Sequence, residues 1–537
     1  MQEAHVSVLR IGSEQEACNV LNDFTTRNAQ VFSFPDLTPD LKTKIVDALI
    51  HRLNAPGSSK CHVLCLKTLR MFSREKDKLV NMVSEPTIAT IMKMTGLNHY
   101  ASEEGELVEI RNGDPEVMLE ALKCLCNLVF NSQLAQRICS KNGCVEGIIQ
   151  RLKTYKDPAL PHEIKFFDMR LLSLLTALCE ETRPKVRYEL HGFTYLMEVV
   201  DLSVNEADER GLKDQEVDLC CEILKILFNL TLVRSNMDEE EEAHFMRLVC
   251  VLKELLLCKT KSKDRMEELQ SMTVNLLTNV PLDCYEELLT PLNEDDDDIS
   301  LENKEVEYDG KNMEAILVLL DFLYRRLDKP SKTTKDSLAP ILCSLCQMCK
   351  ANRTIRKFCR LKVLPPLKED VKRLPEEGKT LRNKLCKILT SASEVKDMVA
   401  EFLFILCKES VARMVKYTGY GNAAGLLANR GMLMGGRKCD GDYSSGSEES
   451  DTEEYARLRD QVNPITGRWE EDKVNPMEGM SEEQKEYEAM RLVNDLDKLQ
   501  RQGIIQPCRV GEDGKPEPVE HILQLTENIK LKKEDKD

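Results

Sequence analysis

Residues 120–132 of this chain, EALKCLCNLVFNS, decide its fold. Their apolar members recur every three or four positions, and they are Leu122, Leu125, Leu128 and Val129. That spacing predicts a helix with one apolar stripe. Asn127 lies inside the stripe, where a side-chain amide costs free energy unless it is hydrogen-bonded. We therefore expect a packed helix whose asparagine either ties structure together or binds a ligand.

The same cassette returns along the chain. Related segments lie at 66–71, 171–176, 224–229 and 274–279, with weaker copies at 343–349 and 381–390. The steps between Met71, Asn127, Thr176, Asn229 and Asn279 are 56, 49, 53 and 50 residues. A recurring helical unit of this length cannot bury its apolar face alone, so its neighbours must stack. The sequence therefore predicts an all-α superhelix of armadillo or HEAT type over residues 1–428.

Composition agrees with a helical solenoid. The chain has 537 residues, a formal charge of −17, 42% hydrophobic and 31% charged residues. That length exceeds one ordinary core, and a solenoid absorbs it by adding repeats. No apolar run reaches the ~18 residues that a membrane helix needs. The first residues lack a basic region followed by an apolar stretch, so we expect no secretion signal.

The 21 cysteines lie mostly on apolar stripes, which is typical of free thiols in a reducing compartment. Cys343, Cys346 and Cys349 are spaced so that three thiolates could hold a metal. No histidine or fourth cysteine stands nearby at ligand spacing, so the pattern favours ordinary helix packing. We expect no metal and no cofactor.

Catalytic motifs are missing from the sequence. It contains neither a G-x-x-x-x-G-K-[ST] phosphate loop nor H-E-x-x-H, and its eight histidines are scattered. The glycine-rich residues 417–425 superficially resemble a dinucleotide-binding turn, but no strand precedes them, which favours a corner between helices. We therefore expect a binding protein and no enzyme.

Charge changes sign along the chain. Residues 350–387 hold thirteen Lys/Arg and four Asp/Glu, a local net charge of +9. Nucleic acid is a poor partner for them, because exposed aromatics are not interleaved and the whole chain is acidic. The acidic residues 440–454 of the same chain are a better partner. Arginine pairs with phosphate through two donors, so we expect phosphate to dock on a helical face. The docking residues on that face are Arg353, Arg356, Lys357 and Arg360.

Residues 429–480 are predicted to form an acidic, flexible linker with phosphorylation sites. Ser445 and Ser450 each have a glutamate three positions on, Glu448 and Glu453. This spacing is the one that acid-directed kinases of the casein kinase 2 type recognise. The alternative is that phosphate only extends the linker.

Residues 481–503 are predicted to form a tethered amphipathic helix. Ser481 and Gln484 make a capping-box start, and Gly503 marks the end. Its apolar stripe consists of Met490, Leu492, Val493, Leu496 and Leu499. Such a helix either caps the repeats or docks on a partner. Residues 504–537 are polar and are expected to be disordered.

Several motifs closely resemble the synembryn family (resistance to inhibitors of cholinesterase). They are VKYTGYGNAAGLLA at 415–428, DTEEY at 451–455, NPITGR at 463–468 and NPMEGM at 475–480. Residues 120–132, 166–170 and 363–367 look like the same family, so the resemblance covers nearly the whole chain. It implies an armadillo-like chaperone for G-protein α subunits that is also a non-receptor guanine-nucleotide exchange factor.

The resemblance also implies a mechanism and a site. The C-terminal helix of the α subunit is drawn into a concave groove, GDP leaves, and GTP then releases the protein. The groove positions implied are Arg70, Arg74, Asn127, Arg170, Phe228, Asn229 and Asn279. Arginines can bind a carboxylate, and asparagines can bind peptide backbone. The alternative is that the asparagines only tie one repeat to the next.

The resemblance implies a monomer in the cytoplasm, with a fraction at the cell cortex and plasma membrane through its partner. The alternative function is an armadillo-type peptide-binding scaffold or adaptor without exchange activity. Such adaptors bind basic peptides with acidic and tryptophan side chains, and the only tryptophan here, Trp469, follows the repeats. Nucleotide release from a purified α subunit separates the two functions.

Overall fold

The structure is a computed structural model that describes residues 1–76, 79, 82–97, 113–233, 238–292, 306–328, 334–433, 451–471, 476–520 and 524. These residues fall into two compact units, Met1–Glu287 and Leu288–Asp537. The predicted all-α fold of armadillo or HEAT type is confirmed, since stacked helices make up both units.

Helices joined by loops and turns make up the described residues of the first unit. Its α-helices are α1 (Glu3–Ile11), α2 (Glu14–Arg27), α3 (Pro39–Asn54), α4 (Ser59–Phe72), α5 (Glu85–Met94), α6 (Pro115–Asn131), α7 (Gln133–Cys139), α8 (Cys144–Leu152), α9 (His162–Leu178), α10 (Thr182–Pro184), α11 (Gly192–Asn205), α12 (Asp214–Thr231), α13 (Glu239–Leu257) and α14 (Lys263–Leu277). A π-helical turn spans Lys185–Glu189, and a 3-10 helix begins at the end of this unit and spans Leu282–Leu288.

The second unit mixes helices with short strands. Its α-helices are α15 (Glu314–Asp328), α16 (Thr334–Ala351), α17 (Arg353–Val363), α18 (Leu381–Leu389), α19 (Lys396–Leu406), α20 (Val411–Thr418), α21 (Tyr420–Asn429), α22 (Glu453–Leu458) and α23 (Glu482–Arg501). Its 3-10 helices are Glu369–Lys372 and Arg459–Gln461. Its strands are β1 (Thr290–Pro291), β2 (Glu307–Tyr308), β3 (Lys311–Asn312), β4 (Val462–Asn463), β5 (Arg468–Trp469), β6 (Cys508–Val510) and β7 (Pro516–Pro518), paired in the orders β1-β3-β2, β4-β5 and β6-β7.

Helix α6 forms as the decisive stretch predicts. Asp114 caps its first turn by accepting the N–H of Glu116, and Pro115 stands where a helix needs no donor. The four apolar residues of the stripe, Leu122, Leu125, Leu128 and Val129, are fully buried. The helix therefore begins at a strong cap and is held by its apolar face.

The repeated cassettes share one layer of the first unit. Helices α2, α4, α6, α9, α12 and α14 pack one on the next in that order. The five strongest cassettes lie on the last five of these helices. Helices α3, α5, α8, α11 and α13 pack on this layer from the other side. Successive helices of this layer also carry partly exposed residues, among them Arg70, Asn127 and Arg170.

Residues 451–471 differ from the flexible linker expected for them. Tyr455 is buried, Thr452 donates to the Leu367 carbonyl at 2.5 Å, and the Arg468 Nε donates to the Lys372 carbonyl at 3.2 Å. The backbone N–H of Tyr420 donates to the Pro464 carbonyl at 2.8 Å. We call residues 451–471 the strap. It is fixed by single side chains and backbone groups, which leave no periodic pattern in the sequence.

Helix α23 begins at the predicted capping box, where Ser481 accepts the N–H of Gln484. None of its residues is buried, and Met490 and Leu492 are about 60% exposed. Within the range expected to be disordered, residues 508–518 form the β6-β7 hairpin. The N–H of Leu433 donates to the Gly514 carbonyl at 3.4 Å, which places this hairpin against the end of the repeats.

The three spaced cysteines lie on α16. Cys349 is buried, and burial raises the pKa of all three thiols, so they stay protonated. No group of three or more His, Cys, Asp or Glu among the described residues could hold a metal ion. Within the same residues, no helix is both long and apolar enough to span a bilayer.

Candidate functional site

Most of the predicted groove residues lie on helices of the stacked layer. Arg70 is on α4, Asn127 on α6, Arg170 on α9, and Phe228 and Asn229 on α12, all partly exposed. We call this surface the ladder face and define it by Arg70, Glu120, Lys123, Asn127, Arg170, Glu222, Lys225 and Phe228.

The first rung of the ladder face joins α4 to α6. The Arg70 Nε donates to a Glu120 carboxylate oxygen at 2.9 Å, and the Lys123 Nζ donates to the other oxygen at 3.3 Å. Glu120 is buried, whereas the two cations are partly exposed. The carboxylate therefore holds two cations at the surface from below.

The second rung repeats this arrangement between α9 and α12. The Arg170 Nη1 and the Lys225 Nζ both lie 2.9 Å from one Glu222 carboxylate oxygen, and Glu222 is again buried. In both rungs the acid and the lysine form a Glu-x-x-Lys pair, and the arginine comes from the preceding helix of the layer. Since each arginine uses only one nitrogen for its glutamate, it retains N–H donors for a ligand.

Arg74 is used differently from Arg70. Its Nη1 donates to the carbonyls of Ala29 and Val31, both at 3.0 Å, and its guanidinium lies 5.1 Å from the centre of the Phe32 ring. Burial, followed by the charge of Arg70, lowers the pKa of Arg74. In this structure Arg74 fastens the loop between α2 and α3.

Two of the predicted asparagines tie repeats together. The Asn229 amide on α12 donates to the Thr176 hydroxyl on α9 at 3.0 Å and to the Ser173 carbonyl at 3.3 Å. The Asn279 amide, after α14, donates to the Thr231 hydroxyl on α12 at 3.0 Å. Each amide therefore bonds to the preceding repeat, which gives both asparagines a structural use.

Asn127 does not tie repeats. The structural bond between α6 and α4 comes from Asn131, whose amide donates to the Ser73 carbonyl at 3.1 Å. Asn127 is partly exposed, and its side chain makes no hydrogen bond to a described residue. A free amide on the ladder face has both a donor and an acceptor for a bound peptide.

Sequence reasoning missed an exposed apolar row beside the rungs. Phe130 is 63% exposed one turn after Asn127, and Leu232 is 46% exposed one turn after Phe228. Leu178 at the end of α9 is also exposed. The available signal was an apolar residue three or four positions after a polar-face residue. This row gives the ladder face an apolar surface as well as charge.

A buried ion pair supports α9 under the ladder face. The Arg151 Nε donates to Asp168 at 2.8 Å and its Nη1 donates to the Thr95 carbonyl at 2.7 Å, with both charged side chains fully buried. The Tyr155 hydroxyl lies 3.3 Å from the same carboxylate. Because Asp168 is two residues from Arg170, these contacts fix the orientation of the helix that presents Arg170.

The second unit carries a separate cationic cluster. Arg353, Lys357 and Arg360 lie exposed or partly exposed on α17, whereas Arg356 is buried and donates to the Cys349 carbonyl at 2.7 Å. The predicted patch is therefore three surface cations and one structural arginine.

Two further cations, missed in the sequence, join this cluster. Lys408 has a lowered pKa, first because of burial and then because of the nearby charges of Arg413, Arg360, Arg353 and Arg356. Lys408 and Arg413 come from the corner between α19 and α20, more than forty residues after α17, so only folding brings them to it. The folded chain therefore holds cations from two separate segments close together.

The two predicted phosphorylation sites, Ser445 and Ser450, lie outside the described residues. Asp451, which follows Ser450 in the chain, forms an ion pair with Lys416 on α20 and lies 3.6 Å from Arg459. Arg360 reaches the neighbouring Tyr417 hydroxyl at 3.4 Å. The strap thus begins beside the cationic cluster.

The fold and the site define a helical-repeat protein with a charged, partly apolar binding face. The sequence profile described as "Guanine nucleotide exchange factor synembryn" matches residues 65–515. Proteins named Chaperone Ric-8A are similar over almost their whole length. The one from Gallus gallus is 42% identical over 534 residues, 97% of this chain and 96% of that protein. The Xenopus tropicalis protein is 43% identical over 96% of this chain and 95% of its own, and the Mus musculus protein 40% over 95% and 94%. This chain belongs to the synembryn family.

Proposed function

We propose that this chain is a chaperone and a non-receptor guanine-nucleotide exchange factor for heterotrimeric G-protein α subunits. Its membership of the synembryn family supports this function. The chain binds nascent or GDP-bound α subunits, assists their folding and promotes the release of GDP. Exchange of this kind changes the partner's affinity for nucleotide, so it requires a binding surface and no catalytic side chain.

The ladder face is the proposed receptor for the C-terminal helix of the α subunit. The two repeated rungs carry this assignment, because Arg70 and Arg170 are held from below and keep free donors for carboxylates. Asn127 offers an amide to the backbone at the end of that helix. Phe130 and Leu232 offer contacts to its apolar side, as grooves that bind amphipathic helices do.

Capture of that helix explains exchange in terms of populations. A protein shifts an equilibrium of its partner only if it binds one state more tightly than the other. The ladder face can contact the helix only when the helix has left the body of the α subunit. Binding therefore favours the state in which the nucleotide site is loosened, and GTP, which favours the closed state, drives release.

The test is GDP release from a purified α subunit together with a binding assay. Arg70→Gln with Arg170→Gln removes the exposed charges and keeps a hydrogen-bonding group above each buried glutamate. We expect at least about tenfold weaker binding and a matching loss of exchange, with unchanged helical circular dichroism.

The matched control is Arg247→Gln. Arg247 is also an arginine at the surface in an ion pair, with Asp201, but it is more exposed and lies on α13 in the other layer. If Arg247→Gln weakens binding as much as Arg70→Gln with Arg170→Gln does, the helix of the α subunit binds elsewhere. Binding without any acceleration of GDP release would instead favour the scaffold function.

Phosphorylation is proposed to regulate this activity. An acid-directed kinase would modify Ser445 and Ser450, and the phosphates would dock on the cluster of Arg353, Lys357 and Arg360. The position of Asp451 at the start of the strap, near Arg360, supports this proposal, since Ser450 is the residue that precedes Asp451 in the chain. Burial and then the nearby arginines lower the pKa of Lys408, and a bound phosphate would relieve the second of these two effects.

The exposed stripe of α23 is proposed to dock on the α subunit. Met490 and Leu492 are exposed and Val493 and Leu496 are half-buried, so the stripe has apolar area to offer. A chain of this kind would act as a cytoplasmic monomer. It would reach the cell cortex and plasma membrane only through its partner.

A further inference from the structure

A cavity in the second unit belongs to neither the ladder face nor the cationic cluster. Its volume is about 570 Å³, within the range of about 300–1,000 Å³ that small-molecule sites occupy. It lies between the end of α15 and the length of α18, beside the loop that precedes α18. The side chains that shape it include Tyr324, Asp328, Glu376, Lys379, Lys384 and Lys387.

One wall of the cavity is held rigidly. The Lys384 Nζ lies over the Tyr324 ring and 2.6 Å from a carboxylate oxygen of Asp328. The Tyr324 hydroxyl donates to the Lys379 carbonyl at 3.2 Å. These contacts join α15 to α18 and to the preceding loop, so the wall is formed before any ligand binds.

The loop that closes the cavity is equally fixed. Asn383 donates to the Pro375 carbonyl at 2.8 Å, and its side-chain oxygen accepts the N–H and the hydroxyl of Thr380, at 3.1 and 2.6 Å. Gly378, with φ +137°, allows the turn between Pro375 and Thr380. The backbone that carries Lys379 is therefore preorganised.

The charges of the cavity are unevenly matched. Lys384 is neutralised by Asp328, whereas Lys379 and Lys387 are exposed and form no ion pair with a described residue. Lysine ammonium groups bind phosphate as point charges. Two such groups that converge on one cavity favour a ligand with more than one phosphate.

The acidic side chains of the cavity narrow the ligand further. Asp328 and Glu376 line the same space. An ionised carboxylate can only accept hydrogen bonds, for example from a ligand hydroxyl group. Asp328 is already paired with Lys384, so Glu376 is the carboxylate left to a ligand. It would repel a ligand with phosphates alone and would accept a hydrogen bond from a ligand that carries hydroxyl groups. We propose that this cavity binds a phosphorylated polyol of the inositol phosphate class, either free or as the headgroup of a membrane lipid.

The test uses the full chain and calorimetric titration with inositol hexakisphosphate, inositol trisphosphate and inorganic phosphate. We expect saturable binding of one inositol phosphate per chain. Lys379→Glu with Lys387→Glu should weaken it by at least about tenfold, since both phosphate contacts become repulsive. The matched control, Lys335→Glu with Lys368→Glu, makes the same charge change in the same unit outside the cavity and should bind as the native chain does.

Vesicles of phosphatidylcholine with and without phosphatidylinositol bisphosphate separate the two sources. Binding to the phosphoinositide vesicles, competed by inositol trisphosphate, identifies a headgroup, and binding of soluble inositol phosphates alone identifies a free ligand. In the native chain, ligand should slow hydrogen exchange at 376–391. This measurement stays informative if a variant misfolds.

Four results would overturn the proposal. One is equal weakening in the control pair, which would indicate attraction by net charge alone. Another is binding of inorganic phosphate as tight as that of the inositol phosphates, which would indicate an unselective anion site. The third is displacement of the ligand by a phosphorylated peptide with the sequence of residues 440–454, which would make the cavity a peptide site. Absence of saturable binding would refute it as well.

Discussion

Arg70 and Arg74 are four positions apart, the second just after the end of α4, and the structure uses them differently. Arg70 stands above a buried glutamate on the ladder face, whereas Arg74 is taken by two backbone carbonyls of a loop. The sequence shows that the two arginines are spaced for the same helical face. It cannot show that residues 29–31 contact only Arg74. The same reason separates Asn127, which is free, from Asn229, which ties α12 to α9. Residue types on the face could be predicted, and their partners depended on the tertiary structure.

The core prediction at this scale concerns Leu125, which is fully buried in α6. Leu125→Ala removes apolar contacts and leaves a cavity, so we expect it to lower the free energy of unfolding by ~2–5 kcal/mol. Phe130→Ala on the same helix is the control and should change stability by less than about 0.5 kcal/mol, because Phe130 is exposed. Urea denaturation of both variants measures the difference, and similar midpoints would show that Leu125 is not a core residue.

A buried carboxylate predicts acid sensitivity of the N-terminal end. Burial alone would raise the pKa of Glu75, but hydrogen bonds from Lys42 and from the N–H of Phe34 outweigh it and lower the pKa to about 2. A carboxylate with a lowered pKa in the folded state stabilises the protein above its unfolded pKa of about 4.3, and this contribution is lost as the pH falls toward 2.

Glu75→Gln tests this contribution because glutamine does not titrate. We expect the variant to be less stable than the native chain at pH 7 and to lose less stability between pH 5 and about 2. Thermal melts over this pH range give both curves. Parallel curves for the two proteins would mean that Glu75 has no lowered pKa in the folded state.

At the scale of elements, the sequence predicted the stacked helices and missed the strap. The apolar stripes are periodic, so the cassettes identified the packed layer from α4 to α14. The strap has no stripe, because it binds through the carbonyls of Pro464 and Ile465, which accept the N–H groups of Tyr420 and Gly421 at 2.8 and 2.9 Å. These carbonyls cap α21, whose N-cap residue, Gly419, has no side chain to do so.

The contacts of the strap predict that position 419 requires a glycine for two reasons. Its φ is positive, and there is no room for a Cβ. Gly419 has φ +78°, and a Cβ there would lie 2.8 Å from the backbone carbon of Thr466. Gly419→Ala should therefore release the turn and speed hydrogen exchange of the amides at 451–471. Gly479→Ala is the matched control, since Gly479 also has a positive φ, +90°, but no atom lies within 4 Å of the added Cβ. Equal effects of the two substitutions would reduce the role of Gly419 to its backbone conformation.

At the scale of the whole molecule, one stretch of the chain has a net charge opposite in sign to that of the chain as a whole. The chain has a net charge of −17, yet residues 350–387 carry +9, and folding adds Lys408 and Arg413 to that stretch. A cationic surface on an acidic protein attracts anions selectively to one place, and salt weakens the attraction. Two phosphates on Ser445 and Ser450 would add roughly −3 to −4 charges to the acidic segment. Phosphorylation should therefore act by electrostatic docking in the second unit.

The prediction is that phosphorylation by an acid-directed kinase speeds GDP release from the α subunit and slows hydrogen exchange in the strap. Both effects should weaken at high salt and disappear in a variant with Arg353→Ala, Lys357→Ala and Arg360→Ala. Arg356 is left intact in this variant because it is buried and holds the Cys349 carbonyl. A control with Lys335→Ala removes an exposed cation of the same unit outside residues 350–387 and should respond as the native chain does. If phosphorylation accelerates release equally in the native chain and in the triple variant, the cationic cluster is not the phosphate receptor. The acceleration would then come from the charge of the linker itself.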